Sequence, residues 1–271
     1  MARIGVFDSG YGGLTILEKF RALLPEYDYV YLGDNARTPY GTRSFEVVYQ
    51  YTLECVKKLF ELDCDLVILA CNTASAKALR TIQQKDLPQI APNKRVLGVI
   101  RPTAEKVGEF TKTSHVGLLG TEGTIQSGSY PIEINKIFPE IVVNGQACPM
   151  WVPLIENGEH LSDGADFFVK KYINELLSAD PMIDTLILAC THYPLLVDKI
   201  KMHAPEHMQI ISQGPIIADR LKDYLLRHPE METRLSKNGE CTFYTTESVD
   251  KFKKSASAFL QESIEARHIT L

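Results

Sequence analysis

The chain lacks a long apolar run: nothing in its 271 residues approaches the roughly 18 uninterrupted apolar residues that a membrane span requires. Its N-terminus, MARIGVFDSGYGG, breaks the first apolar stretch at Asp8 and carries no small-residue cleavage pattern. No signal peptide is therefore expected, no membrane partner, and a cytoplasmic location. Positive charge is also in short supply, with 29 Lys and Arg against 34 Asp and Glu and a net charge of −5. That balance argues against a nucleic-acid or anionic-membrane partner. It leaves an acidic small molecule open, because a pocket can be locally positive inside an acidic protein. Cysteine is sparse, with six residues at 55, 64, 71, 148, 190 and 241, and in a reducing compartment these are expected as free thiols. A chain of this length buries enough core to need neither disulfide nor metal. There is no C-x-x-C spacing, so no zinc site is expected. The G-x-G-x-x-G dinucleotide fingerprint and the P-loop are both missing. Nothing calls for pyridoxal phosphate, and no cofactor is expected. Low-complexity tracts and Pro/Gly-rich linkers are absent too.

What is present is an alternation of short β-branched runs with amphipathic segments. Strands are expected at Ile4–Asp8, Tyr29–Gly33, Leu66–Ala70, Val96–Ile100, Val116–Gly120, Ile141–Asn144, Leu186–Ala189, Gln209–Ile211 and Thr242–Tyr244. Helices are expected at Leu14–Leu24, Phe45–Leu62, Ala74–Gln84, Thr103–Phe110, Asp166–Leu177, Ala218–Leu226 and Val249–Glu265. Continuous apolar strands such as LVILA and LILA suit parallel sheets covered on both faces. The fold class is therefore α/β with right-handed crossovers.

The chain also echoes itself. The segment from Asp65 to Thr73, DLVILACNT, returns from Asp184 to His192 as DTLILACTH, and ARIGVFDSGYGGLT from Ala2 returns as SHVGLLGTEGTIQS from Ser114. Two echoes at similar offsets and in the same order predict two related α/β lobes with mainly parallel sheets and an active site in the cleft between them.

In each lobe the echo sets a cysteine, Cys71 or Cys190, just past a buried strand. In α/β sheets that is the crevice where ligands bind. The polar pairs Asn72-Thr73 and Thr191-His192 can cap a following helix, and Pro194 suits a helix's first turn. The positive end of a helix favours a thiolate, and the same N–H groups can donate to a carboxylate. Two such junctions can hold a dicarboxylate between two thiols. Cys55, Cys64, Cys148 and Cys241 lack this context and are read as packing residues.

The segments FDSGYGGLT, GDNARTPYG, ACNTASA, GVIRPTA, GTEGT, VPLIENGE and LILACTHYPLL together resemble the glutamate racemase family of the Asp/Glu racemase superfamily, across nearly the whole chain. The resemblance implies cofactor-independent interconversion of L- and D-glutamate, with Cys71 and Cys190 as acid/base groups on opposite faces of the α-carbon. By the same resemblance Cys71 is expected to take the proton from the D-isomer and Cys190 from the L-isomer. Asp8 is expected to assist near Cys71 and His192 near Cys190, with Glu156 expected to fix the tautomer of His192. It also implies that Ser9, Asn72, Thr73, Thr121, Thr124 and Thr191, with Asp8 and His192, hold the substrate. Pro39, Tyr40 and Gly41 line the pocket, and the glycines from Gly10 to Gly13 let backbone N–H groups approach the ligand. By the same resemblance the first lobe comprises residues 1–97 plus 210–271 and the second 98–209. A homodimer and a role in supplying D-glutamate for bacterial peptidoglycan are implied as well. Two departures stand out. Asn35 replaces a common Thr, and Ser212-Gln213 replaces a frequent Asp-Ser, a change expected to touch domain contacts and spare the chemistry. An aspartate racemase, one methylene away, and a non-catalytic binder of acidic amino acids are the rival readings. A cysteine hydrolase needs only one cysteine.

Overall fold

The computed structural model describes residues 1–257 and 259–271 in full and the backbone at residue 258. Among the described residues ten strands form two sheets, and every strand pairing is parallel. The first six-stranded sheet contains β1 (Arg3–Asp8), β2 (Tyr29–Gly33), β3 (Cys64–Leu69), β4 (Arg95–Gly98), β9 (Cys241–Thr245) and β10 (Ala266–His268), in the order β10-β9-β2-β1-β3-β4. The second contains β5 (His115–Gly120), β6 (Val142–Ala147), β7 (Thr185–Ala189) and β8 (Gln209–Ile211), in the order β6-β5-β7-β8. The central strands are apolar because both faces are covered, and the apolar core lies on either side of each sheet.

The internal echo has a topological counterpart. The order β2-β1-β3-β4 in the first sheet matches β6-β5-β7-β8 in the second, strand for strand. β3 and β7 carry the DLVILACNT/DTLILACTH echo, and β1 and β5 carry the one that starts at Ala2 and Ser114. The carboxyl ends of four central strands therefore deliver Asp8, Thr121, Cys71 and Cys190. Gln209–Ile211 lies wholly in the second sheet, where β8 pairs with β7, so a boundary drawn at residue 209 cuts through that strand.

Several expected elements differ in extent. β4 stops at Gly98 because a helix, Ile100–Lys106, begins two residues later. The region from residue 72 to 90 is a helix, Asn72–Lys77, followed by short segments that include a π-type turn at Ile82–Asp86, rather than one helix over 74–84. The last helix ends at Leu260, where Gln261 takes a left-handed conformation (φ 54°), and the chain turns out to form β10 beside β9. No helix among the described residues is long and apolar enough to cross a membrane.

Candidate active site

Cys71 and Cys190 line one cavity of about 90 Å³ where the carboxyl ends of the two sheets face each other. One water occupies roughly 10–15 Å³ on this scale, so the space suits a molecule of small amino-acid size. Ser9, Pro39, Tyr40, Gly41, Asn72, Thr73, Thr121, Thr191 and His192 share its wall. Three of the expected residues, Asp8, Thr124 and Glu156, do not line it but hydrogen-bond to residues that do. No lysine or arginine is among the lining residues; the polar lining includes hydroxyls, the Asn72 amide and the His192 imidazole.

Each cysteine has its own surroundings. Cys71 is itself the N-cap of the helix Asn72–Lys77: its sulfur accepts from the Ala74 N–H at 3.5 Å and lies 3.3 Å from Ser9 Oγ. The expected capping pair, Asn72-Thr73, is instead inside the helix. Cys190 is followed by a 3₁₀ turn, Tyr193–Leu196, with Pro194 in its first turn. The expected helix dipole at Cys190 is thus reduced to a short turn without a side-chain cap. Its sulfur faces His192 Nδ1 at 3.8 Å, and His192 Nε2 lies 3.0 Å from Glu156 Oε1.

Behind this wall, Asp8 accepts from the Gly10 N–H at 2.9 Å and from the Thr191 hydroxyl at 3.3 Å. The second bond joins the lobes. Thr73, Thr121 and Thr124 form a hydroxyl triangle with oxygens 2.9–3.3 Å apart, again across the lobes. Gly41 is clipped to the second lobe by the Gly123 N–H, which donates to its carbonyl at 2.8 Å. The glycines of the first turn serve close packing. A methyl at Gly12 would overlap Thr191 Oγ1 and His192 Nδ1, and one at Gly13 would overlap the Asp8 side chain. Neither has a positive φ, so the need is for space: between lobes at Gly12 and within the first lobe at Gly13.

This architecture has relatives. The family model for Asp/Glu/Hydantoin racemase matches residues 14–221. A glutamate racemase of Bacillus cereus is 40% identical over 269 residues, covering 99% of this chain and 97% of that protein. The crystal structure of glutamate racemase isoform RacE1 from Bacillus anthracis aligns with a TM-score of 0.90 and 36% identity, covering 100% of this chain and 98% of that one. That of glutamate racemase from Francisella tularensis, in complex with D-glutamate, aligns with a TM-score of 0.88 and 32% identity over 99% and 97%. The chain belongs to the Asp/Glu/Hydantoin racemase family. Membership makes it an isomerase of the racemase type.

For a racemase of this family, the electrostatics of the two walls are unequal. Burial pushes the Cys71 thiol up to about 12, the nearby Asp8 charge adds to this, and the Ser9 and Ala74 hydrogen bonds only partly offset it. Burial opposes charge on His192, but its hydrogen bonds to Cys190 and Glu156 outweigh that and carry it up to about 10. At neutral pH Cys71 is therefore a thiol, and His192 is an imidazolium that donates towards the Cys190 sulfur and the Glu156 carboxylate. Burial also raises Asp8, against the pull of His192 and of the Gly10 and Gly13 N–H groups.

Sequence reasoning missed several wall residues. Cys148, read as packing, is buried but lines the same cavity, with Thr38, Thr42, Glu122, Pro149, Val152 and Pro153. Its position in ACPMWVP, next to the matched VPLIENGE, was the available signal. Tyr130 was missed as well, and Gln213 was noted only for domain contacts; both hydrogen-bond to Asn72. Cys55 and Cys64 are buried away from the cavity, and Cys241 is half-buried. His203 and His207 are spaced H-x-x-x-H, yet His203 pairs with Asp166. No metal-binding group of three or more His, Cys, Asp or Glu side chains forms among the described residues.

Proposed function

We propose that the chain interconverts L- and D-glutamate by moving the α-proton between two cysteines, without a cofactor. The carrying observation is that Cys71 and Cys190, from equivalent strand ends of two sheets, line one small cavity with opposite electrostatic surroundings. Racemisation requires a base on one face of the α-carbon and an acid on the other, and a tightly held substrate does not turn over between them. The imidazolium of His192 faces the Cys190 sulfur, while burial and the Asp8 charge keep Cys71 protonated. Cys190 then takes the proton from L-glutamate as Cys71 delivers one to the other face. The thiol and thiolate states are exchanged afterwards, which prepares the site for the D-isomer. Glu156 holds His192 in orientation and balances its charge.

The hydroxyls of Ser9, Thr73, Thr121 and Thr191 and the Asn72 amide bind the carboxylates and ammonium. Thr124 supports the hydroxyl triangle, and Pro39, Tyr40 and Gly41 close the wall. Related proteins named glutamate racemase, one solved with D-glutamate, support glutamate as the substrate. We further propose a cytoplasmic homodimer that supplies D-glutamate for peptidoglycan, built as two lobes, with the second extended to residue 211 so that β8 stays whole.

The test is incubation with L-glutamate in D₂O, followed by NMR at the α-carbon and by polarimetry. Deuterium at Cα with loss of optical rotation is expected. Binding without exchange would leave only an acidic amino-acid binder.

A further inference from the structure

Asn72 lines the cavity, yet its amide is also part of a buried ring with Gln213 and Tyr130, tied in turn to Thr103. These four residues come from four separate helices: Asn72–Lys77, Ile100–Lys106, Ser129–Asn135 and Gln213–Arg227. All four are 0–3% exposed. Gln213 does not line the cavity.

The direction of every bond in the ring follows from one backbone carbonyl. Thr103 Oγ1 donates its single hydrogen to Val99 O at 3.0 Å. It must therefore accept from Gln213, which puts Nε2 of Gln213 on Thr103 at 2.8 Å and Oε1 on Asn72 at 2.7 Å. Oε1 is an acceptor, so Asn72 faces it with Nδ2. Asn72 Oδ1 is left to accept from the Tyr130 hydroxyl at 2.6 Å. With its hydrogen committed, Tyr130 accepts the second Nε2 hydrogen of Gln213 at 2.5 Å. A side-chain amide has two N–H donors and an oxygen with two lone pairs. Both Gln213 donors are used, and the ring takes one donor and one lone pair of Asn72. What Asn72 can still offer is one N–H and one lone pair.

We propose that Gln213 is a positioning residue for Asn72: it selects the amide orientation in which Asn72 meets the substrate. The ring joins the helix behind Cys71 to helices of the other lobe, so it couples that orientation to the lobe arrangement. The proposal rests on the reading of the cavity as a glutamate site.

Gln213→Met removes both donors and the acceptor while keeping the length of the side chain. Losing the orientation of a buried group that binds a charged ligand is expected to raise KM for glutamate about tenfold, with a smaller change in kcat. The same substitution in an Asn72→Ala background is expected to add nothing, because the partner is gone. Multiplicative effects in the double variant would overturn the proposal while leaving glutamate racemisation intact. Tyr130→Phe, which loses only a hydroxyl, is the second variant should Gln213→Met fail to fold, with the same KM rise and the same non-additivity expected. A readout free of any ligand is solvent exchange of the Asn72 side-chain amide hydrogens by ¹⁵N NMR. Exchange is expected to be slow in the unaltered protein and at least about tenfold faster in Gln213→Met, as a broken buried bond demands. Unchanged exchange would overturn the proposal, and this measurement stands whether or not glutamate is the substrate.

Discussion

Nε2 of His192 lies 3.0 Å from Oε1 of Glu156, a bond that turns the other ring nitrogen towards the Cys190 sulfur. A carboxylate at one end and a sulfur at the other keep the imidazole charged despite its burial. Glu156→Gln removes that carboxylate at constant shape. Racemisation is expected to fall by about 100-fold, the lower range of a general acid–base contribution. The pH dependence has a definite sign. His192 is raised from 6.5 to about 10, so its contribution to stability is complete below pH 6.5 and is lost as pH rises through about 10. Melting temperatures measured across that window should decline more steeply in the unaltered protein than in Glu156→Gln. Parallel slopes would count against the pair.

Replacing either cysteine separates the two half-reactions. Cys71→Ser and Cys190→Ser are each expected to lower racemisation by about 10³-fold or more, because a serine hydroxyl is a far weaker acid and base in the same place. Loss of HCl from 3-chloroglutamate needs one base only. Cys71→Ser should still act on the L-isomer and Cys190→Ser on the D-isomer. Full racemisation by either variant, followed by circular dichroism, would refute the assignment.

Gly12 marks the closest approach of the first turn to the second lobe. Gly12→Ala forces a methyl onto Thr191 and His192, and overpacking of this kind costs about 1–3 kcal/mol. Thermal denaturation should report that loss. Activity should fall further than stability, because the displaced groups are those that face Asp8 and Cys190.

The hydroxyl triangle predicts an effect on binding from a residue outside the cavity wall. Thr124→Val leaves Thr73 and Thr121 without a shared partner, at a cost of about 1–2 kcal/mol. This should appear mainly as a rise in KM for glutamate, with kcat less affected. A change confined to kcat would argue that the triangle does not hold the substrate.

Aspartate is shorter by one methylene and meets the same polar groups less well. A methylene changes discrimination by about 1–3 kcal/mol, so kcat/KM for aspartate is expected about 10- to 200-fold below that for glutamate. Equal values would favour the aspartate reading.

The element pattern was legible wherever a strand is covered on both faces. LVILA and LILA are apolar throughout because both sides are packed, and β3 and β7 lie within a residue or two of where those runs are found. The least legible strand was β10, whose Ala266–His268 carries no apolar run because it is an exposed edge paired on one side only. Short helices such as Glu122–Gln126 escaped notice too, since five residues hold little more than one turn of periodicity.

For the site, local context was enough to single out Cys71 and Cys190, because a strand end followed by small polar residues is a one-dimensional pattern repeated in the chain. The family resemblance extended this to Asp8, Glu156 and His192. Cys148 and Gln213 were in view but misjudged. Each gains its importance from a neighbour far along the chain, as Gln213 does from Asn72 at 2.7 Å.

By itself, then, the order of residues determined the alternation of strands and helices, the doubling of the lobe, and which side chains lie at strand ends, because these depend on backbone periodicity and short-range spacing. Only the tertiary structure decided what those side chains meet. It set an imidazolium beside Cys190 and a buried carboxylate near Cys71, and it required a glycine where Thr191 presses in. It also built the amide ring behind Asn72. Such contacts depend on how two separately folded surfaces approach, and distance, burial and charge across that approach are properties of no single stretch of chain.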